Sequence, residues 1–385
     1  MGFELTDEQA IFVRSVRGLA ERHLRSDALK RAHNPSFPFD VAELMAENGL
    51  LGITLSEEDG GQGGTPFDAI LAIDQVAQVC PRSADVIQAG NFGPIRTFAE
   101  FATKEQKDRF LPSLLAGKSV ISLCMSEPQA GSAATELTTQ AQFESDDIVL
   151  NGTKVFSTHS PDAAVFLVYV RFAPGVDGIG AVLVERAAAG LNISPPSSFM
   201  NGEHWCTLFF DNCRVSKRNL LLGQGGFKKL ISGFNVERLG NSARALALGK
   251  YAFNLAREHA LVRQQFGRHL CEFQGIQWKF AEMATRLAGA ELLLQQAARS
   301  KDSDGLPDGA ATAMAKLACN ETGHYVANEA LQVMGATGFS QEALAEYCVR
   351  RTRGWMIAGG SIEILRNRIA ENVFERRFPQ KVAKA

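Results

Sequence analysis

Two adjacent glycines, Gly359 and Gly360, stand directly before a helical pattern that runs to about Phe374, in the stretch Met356-Ile-Ala-Gly-Gly-Ser-Ile-Glu-Ile-Leu-Arg-Asn367. Paired glycines let main chain approach a ligand closely, and the first free amides of a helix suit an anion or a polar ring edge. A simple turn fits the same residues. A second glycine-rich run, Asp59-Gly-Gly-Gln-Gly-Gly64, lacks the Lys-Ser/Thr of a phosphate-binding P-loop and reads as a loop. Metal chemistry finds little support. The histidines are scattered, none as His-Glu-x-x-His, and His259 and His324 fall in helical patterns as packed or surface residues. No Cys-x-x-Cys pair occurs among Cys80, Cys124, Cys206, Cys213, Cys271, Cys319 and Cys348, so no zinc ligand set stands out.

The chain has 385 residues, 45% apolar and 21% charged, with net charge −2. That is a soluble globular composition, long enough for two or three domains. Near-neutral charge argues against a nucleic-acid partner, which usually leaves a basic patch. The odd cysteine count and an N-terminus, Met1-Gly-Phe-Glu-Leu, without a basic region and apolar run lead us to expect reduced thiols, no signal peptide and a cytoplasmic location. No apolar stretch reaches the length of a bilayer span.

Three regions must position these residues. From residue 5 to about 117 the pattern is helical. Thr6-Asp7-Glu8-Gln9 fits a capping box ahead of Ile11, Val13, Val16, Leu19 and Ala20. Val41, Leu44, Met45 and Leu50 form a second amphipathic face, Ile70–Val79 a third helix, and Phe101 through Phe110-Leu-Pro112 a further helix with its stop. Near Ser119 the texture changes to short apolar runs. Asn151-Gly152, between Val149-Leu150 and Val155-Phe156, is a hairpin signal. Ala164–Val170 and Ala181–Val184 read as buried strands, and Cys206–Phe210 as a strand closed by Asp211-Asn212. From Phe227 long helical patterns cover about 228–262, 273–300, 309–334 and 342–374, with breaks at Gly267, Asp302–Pro307 and Gly335–Gly338. The expectation is an α+β multidomain chain: an N-terminal α-helical domain (1–118), a middle β-barrel or sandwich domain (119–226) and a C-terminal four-helix bundle (227–385).

This order resembles the acyl-CoA dehydrogenase family over nearly the whole chain, and separate motifs carry the likeness. Leu123-Cys-Met-Ser-Glu-Pro-Gln-Ala-Gly-Ser132 is similar to the family's Met-Thr-Glu-Pro-x-Ala-Gly-Ser-Asp, with Ala133 in place of the Asp. Asn151-Gly-Thr-Lys-Val-Phe-Ser-Thr158 is similar to Asn-Gly-x-Lys-x-Trp-Ile-Thr, with Phe156 for the tryptophan. Arg263-Gln-Gln-Phe-Gly267, Phe273-Gln274 and Gln332-Val-Met-Gly-Ala336 resemble Arg-x-x-Phe-Gly, Gln and Gln-x-x-Gly-Gly elements.

The resemblance implies FAD. Met125 and Ser126 would contact the isoalloxazine edge, Phe156 would cover the flavin, Thr158 would bond its N5, Leu123 and Ser157 would be further cofactor-binding residues, and Ser132 would contact the flavin phosphate or the substrate. Arg263, Gln265, Phe266, Gln274, Gln332, Met334, Gly335 and Ala336 would hold the adenine end, often across a subunit boundary, and Ser361 and Glu363 match positions beside the flavin. Arg366 reads as a structural ion-pair partner.

The best-known members carry a catalytic glutamate where this chain has Gly359, so the resemblance leaves Gly359 only a backbone amide to polarise the thioester. One branch, including isovaleryl- and long-chain enzymes, places the base on the first bundle helix immediately before an arginine. Here that segment is Phe234-Asn-Val-Glu-Arg-Leu-Gly240, so Glu237 matches the base, with Asn235, Arg238 and Gly360 near the acyl-CoA. The implied activity is α,β-dehydrogenation, with an electron-transfer flavoprotein as acceptor and a homotetramer, a dimer of dimers, as assembly. Two alternatives stand. Ser132–Thr139 and Glu272–Trp278 also look similar to a flavin-containing carbon–sulfur lyase branch, sulfinopropionyl-CoA desulfinase. That branch has Gln at the position of Glu237, and Asp85 falls nearest its sulfinate-binding arginine. The third reading is a non-catalytic flavoprotein of the fold. Arg82 reads as a solvated arginine near a helix start or as a partner for a distal acyl carboxylate. Gln88, Phe92 and Ile95 are candidates to shape the acyl pocket.

Overall fold

The computed structural model describes residues 4–300 and 306–378. The opening Met1–Phe3 and residues 302–305 of the expected break lie outside the described residues. Leu5–Gly240 forms one compact unit, and the described residues from Asn241 onward belong to a second.

The first unit begins with helices α1 (Asp7–His23), α2 (Ala28–Ala32), α3 (Phe39–Glu47), α4 (Pro66–Ala77), α5 (Ala84–Asn91), α6 (Pro94–Phe101) and α7 (Lys104–Leu115). Thr6 caps α1 as its spacing predicts: its hydroxyl accepts from Gln9 N, and the Gln9 side chain returns to the Thr6 amide. The expected stop at Pro112 does not occur. Proline loses its own N–H and crowds the carbonyl four residues earlier, but its own carbonyl still accepts from Ala116 N at 3.1 Å; α7 runs on to Leu115 and buries Leu111 and Leu114 on either side of it.

The chain then enters a mixed sheet with nine strands among the described residues: β1 (Ile121–Cys124), β2 (Gln140–Glu144), β3 (Asp147–Thr158), β4 (Val165–Arg171), β5 (Ile179–Glu185), β6 (Leu191–Ile193), β7 (Ser197–Ser198), β8 (His204–Ser216) and β9 (Leu220–Leu222). The main order is β6-β8-β3-β2-β4-β5-β9, with β1 parallel to β4 and β7 on β8. Asn151-Gly152 is not a hairpin turn. β3 continues through it with a register shift between Leu150 and Gly152, and the turn lies at Glu144–Asp147, where Ser145 takes φ 48°. A Cβ on Gly152 would sit 2.5 Å from Thr139 Oγ1, so this glycine answers a close approach inside the sheet. Asp211-Asn212 does not close a strand either. Asn212 N donates to Asn151 Oδ1 at 2.8 Å, and β8 runs on to Ser216. Helical and strand residues share one core: Ile95, Phe98, Leu111 and Leu114 pack with Ile121, Val165, Leu167, Tyr169 and Leu183.

Helix α8 (Phe227–Val262) starts in the first unit and ends in the second. The second unit continues through a short hairpin, β10 (Gln264–Gln265) and β11 (Arg268–His269), then α9 (Gln274–Arg299), α10 (Gly309–Met334), α11 (Ala336–Phe339), α12 (Ala345–Trp355) and α13 (Ile362–Val373). Small residues let α8 and α10 meet closely; a Cβ on Gly323 would sit 2.2 Å from Ala245 O. The fourth expected helix, 342–374, is two helices. Gly359 (φ 70°) and Gly360 (φ 90°) adopt left-handed conformations between α12 and α13 that break helical continuity. All seven cysteines are free thiols, and six of them are buried. No helix among the described residues is long and apolar enough to cross a membrane.

Candidate active site

In the first unit, the motifs at 123–132 and 151–158 are joined by one ion pair. Lys154 Nζ lies 2.7 Å from Glu127 Oε1 and donates to Met125 O at 3.1 Å. Glu127 also accepts from the amides of Thr138 (2.6 Å) and Thr139 (2.9 Å) and from the Thr138 hydroxyl (2.9 Å). Burial alone pushes the Glu127 carboxyl up. The Lys154 charge and the hydrogen bonds from Lys154, Thr139 and Thr138 outweigh it and bring the pKa down to about 2. The main-chain bond from Val155 N to Ser126 O, 2.9 Å, adds a second tie. Glu127 and Lys154 both fall inside the motifs, and the family resemblance assigns neither a role. The available signal was one acid and one base, each inside a separate stretch resembling flavin-facing sequence.

At the end of β3, Phe156 takes φ 58°, a left-handed conformation that costs a bulky residue strain. A register shift between Lys154 and Ser157 accompanies it. The result is a Phe156 ring 55% exposed, 4.5 Å from the ring of Trp205 and 6.1 Å from that of Phe199. Thr158 is exposed, whereas Ser157 is buried. Leu123, Met125 and Ser126 are half-buried, and Ser132 is exposed.

Glu237 is half-buried in the first part of α8 rather than a freely solvated charge. Gly233, Glu237 and Gly240 follow i, i+4, i+7 spacing and so share one face. That face presses on α5 and α6. A Cβ on Gly233 would meet Thr97 Oγ1 at 2.4 Å, and one on Gly240 would meet Gln88 Oε1 at 1.8 Å. Gln88 Nε2 donates to Glu237 Oε2 at 2.7 Å. Arg238 donates to Asn235 Oδ1 at 2.9 Å on the same helix. Phe92 and Ile95 are fully buried, and Ile95 belongs to the shared core.

Arg82 is neither solvated nor left for a distal carboxylate. It is 3% exposed and donates to Asp85 Oδ2 (2.8 Å), Glu203 Oε1 (3.1 Å) and Ser36 O (3.1 Å). A buried guanidinium requires such partners. Two of them, Ser36 and Glu203, are remote in sequence, which is why the local pattern read as a surface helix start.

In the second unit, the Gly359-Gly360 loop is held from below. Fully buried Lys316 donates to Trp355 O (3.1 Å) and Gly360 O (3.0 Å), while Asn320 Nδ2 donates to Trp355 O (2.6 Å) and to Asn241 Oδ1 (3.2 Å). Neither Lys316 nor Asn320 stands out in the sequence, because their partners lie 35 to 79 residues away. Ser361 caps α13. The Glu363 carboxyl is held below its ordinary value by its own backbone N–H and by the Ser361 hydroxyl. Arg366 pairs with Glu321, the structural role expected of it. Arg263, Gln265, Gln274, Gln332 and Ala336 are exposed, Phe266 is 93% exposed at the β10–β11 turn, and Met334 is buried.

Along the chain, helical regions precede and follow a mixed sheet, with a half-buried carboxylate on α8 and an exposed aromatic residue near the end of β3. The chain belongs to the acyl-CoA dehydrogenase family. Family models described as the acyl-CoA dehydrogenase N-terminal, middle and C-terminal domains match residues 6–118, 122–213 and 224–374. It is 34% identical to 3-sulfinopropanoyl-CoA desulfinase of Variovorax paradoxus, over 98% of this chain and 97% of that one. It is equally 34% identical to acryloyl-CoA reductase (NADH) of Anaerotignum propionicum, again over 98% and 97%. Among solved structures, butyryl-CoA dehydrogenase from Megasphaera elsdenii superposes with TM-score 0.90 at 28% identity, over 97% of this chain and all of that one.

Proposed function

We propose that this protein is an FAD-dependent dehydrogenase of acyl-CoA thioesters, with Glu237 as the base that takes the α-proton. The observation that carries the reading is the Glu237 carboxylate, half-buried on the glycine-flanked face of α8 and held by Gln88 at 2.7 Å. Proton abstraction breaks the Cα–H bond and forms an O–H bond on Glu237; partial burial keeps water from competing for that carboxylate. We assign polarisation of the thioester carbonyl to the Gly359 amide, in a loop whose geometry Lys316 and Asn320 maintain. That role needs main chain only, so loss of a side chain at 359 is compatible with it.

The residues present fit a flavin. An exposed aromatic side chain on strained main chain, an exposed Thr158 two residues on, and half-buried Met125 and Ser126 tied to the same strand suit a planar polar ring. Leu123, Ser132, Ser157, Ser361 and Glu363 belong to the same assignment, as do Arg263, Gln265, Phe266, Gln274, Gln332, Met334, Gly335 and Ala336 for the adenosine end. Bound flavin supplies the acceptor for the β-hydrogen and its electron pair. Asn235, Arg238 and Gly360 are assigned to acyl-CoA binding. An electron-transfer flavoprotein as acceptor, and a homotetramer as assembly, complete the reading.

A second reading, a 3-sulfinopropanoyl-CoA desulfinase, is favoured by whole-chain similarity to the Variovorax protein. Against it stand Glu237 itself and Asp85, whose partner Arg82 is already shared with Glu203. Anaerobic titration of the purified protein with a panel of acyl-CoAs tests both. Bleaching of the flavin band by one acyl class supports dehydrogenation. Sulfite release from 3-sulfinopropanoyl-CoA without bleaching supports the lyase.

A further inference from the structure

Gln88 sits on α5 at 5% exposure, with both ends of its amide in unusual circumstances. Its Nε2 donates to Glu237 Oε2 at 2.7 Å, while its buried Oε1 has no partner among the described residues. Burying an amide with half its capacity unused costs about 1–3 kcal/mol, so something must favour glutamine at this place over an apolar side chain. The main chain around it is cut to fit. A Cβ on Gly240 would stand 1.8 Å from Gln88 Oε1 and 2.8 Å from Phe92 Cδ2. Gly93 takes φ 66°, and a Cβ there would stand 2.5 Å from Glu237 Oε2. Two glycines on two different elements thus open room for one amide–carboxylate pair.

We infer that Gln88 is the positioning residue for Glu237. It fixes the carboxylate's rotamer through one charge-assisted hydrogen bond, and it remains competent after proton transfer. When the Cα–H bond breaks and its proton forms an O–H bond on Glu237, a donor to the carboxyl is no longer what the site needs. The amide turned over presents Oε1 as an acceptor for that O–H. A lysine or arginine offers only donors and would oppose the protonated state; an apolar residue would serve neither. The inference rests on Glu237 as the base and adds the residue that holds it.

The test is a two-by-two set in the flavin-loaded protein: wild type, Gln88→Met, Glu237→Gln and the double variant. Methionine keeps the volume and removes the hydrogen bond. Misplacing a reacting group by about 1 Å costs up to about 10²-fold, so Gln88→Met is expected to lower kcat by about 10- to 100-fold with KM nearly unchanged. In the Glu237→Gln background the same change is expected to have almost no effect, because the carboxylate it positions is gone. A merely structural role for Gln88 would lower activity equally in both backgrounds and would overturn the inference. A second readout needs no turnover. The side-chain carboxyl carbon resonance of Glu237, assigned by its absence in Glu237→Gln, is expected to move in Gln88→Met; an unmoved resonance contradicts the bond. Should Gln88→Met fail to fold, Gly240→Ala displaces the amide by its new Cβ, and the same loss of kcat and shift of resonance are expected of it. If Glu237→Gln itself turns over at the wild-type rate, the base assignment falls. If it is impaired while Gln88→Met matches wild type, only the positioning role falls.

Discussion

Lys154 Nζ and Glu127 Oε1 lie 2.7 Å apart with the two side chains 0% and 1% exposed, so the strand that carries Phe156 and the loop that carries Met125 and Ser126 share one buried ion pair. Breaking such a pair by removing one partner typically costs about 3–5 kcal/mol, because the other charge is left buried. Glu127→Gln and Lys154→Met are each expected to lose stability of that order in chemical denaturation. The double variant is expected to regain much of it. Single variants that unfold with the wild-type midpoint would contradict the role given to the pair.

The same pair sets an acid limit. The Glu127 carboxyl falls from 4.5 to about 2 in the folded chain, so its contribution is complete above pH 4.5 and is lost as pH falls towards 2. Wild-type stability should therefore decline across that window, and Glu127→Gln should decline less steeply. Melting curves between pH 5 and about pH 2.5 check the difference in slope.

Arg82 supports the first unit rather than a charged substrate. Arg82→Met would remove the guanidinium from Asp85 and Glu203, both within 3.1 Å of it, and is expected to lower stability by about 3–5 kcal/mol. Its preference between dicarboxylic and neutral acyl-CoAs should match that of wild type. A selective loss of binding for dicarboxylic acyl-CoAs would show that the arginine also serves the substrate.

The Gly359-Gly360 loop depends on Lys316. Lys316→Met removes donors to Trp355 O and Gly360 O, and losing buried hydrogen-bond partners costs about 1–3 kcal/mol. The expected signature is local: faster amide hydrogen exchange at residues 358–361, with the end of α10 unchanged. Uniform exchange at wild-type rates would remove the loop from Lys316's control.

Local signals in the chain survive best where the partner is close in sequence. Thr6 and Gln9 cap α1 across three residues, and the buried runs of β4 and β5 are continuous, so both were legible. Asn151-Gly152 and Asp211-Asn212 carry turn chemistry, yet each faces the other across β3 and β8, and pairing between remote strands overrides the local preference. α7 runs past Pro112 to Leu115, with Ala116 N still bonded to the Pro112 carbonyl. The candidate site divides along the same line. Glu237 and the glycines were recognisable as motifs, whereas Gln88, Lys154 with Glu127, and Lys316 act on partners 27 to 149 residues away. No window of sequence displays such distances.

Glu237 is the proposed base. Its most direct test is the rate at which a saturating acyl-CoA bleaches the flavin of Glu237→Gln in a stopped-flow experiment without oxygen. The amide keeps the size of the side chain and a group for Gln88 to meet, but it cannot take the α-proton. Flavin content and thermal stability are expected to stay close to wild type, with the bleaching rate lower by about 10²–10⁴-fold. Bleaching at the wild-type rate would contradict this assignment and would place the base on another residue.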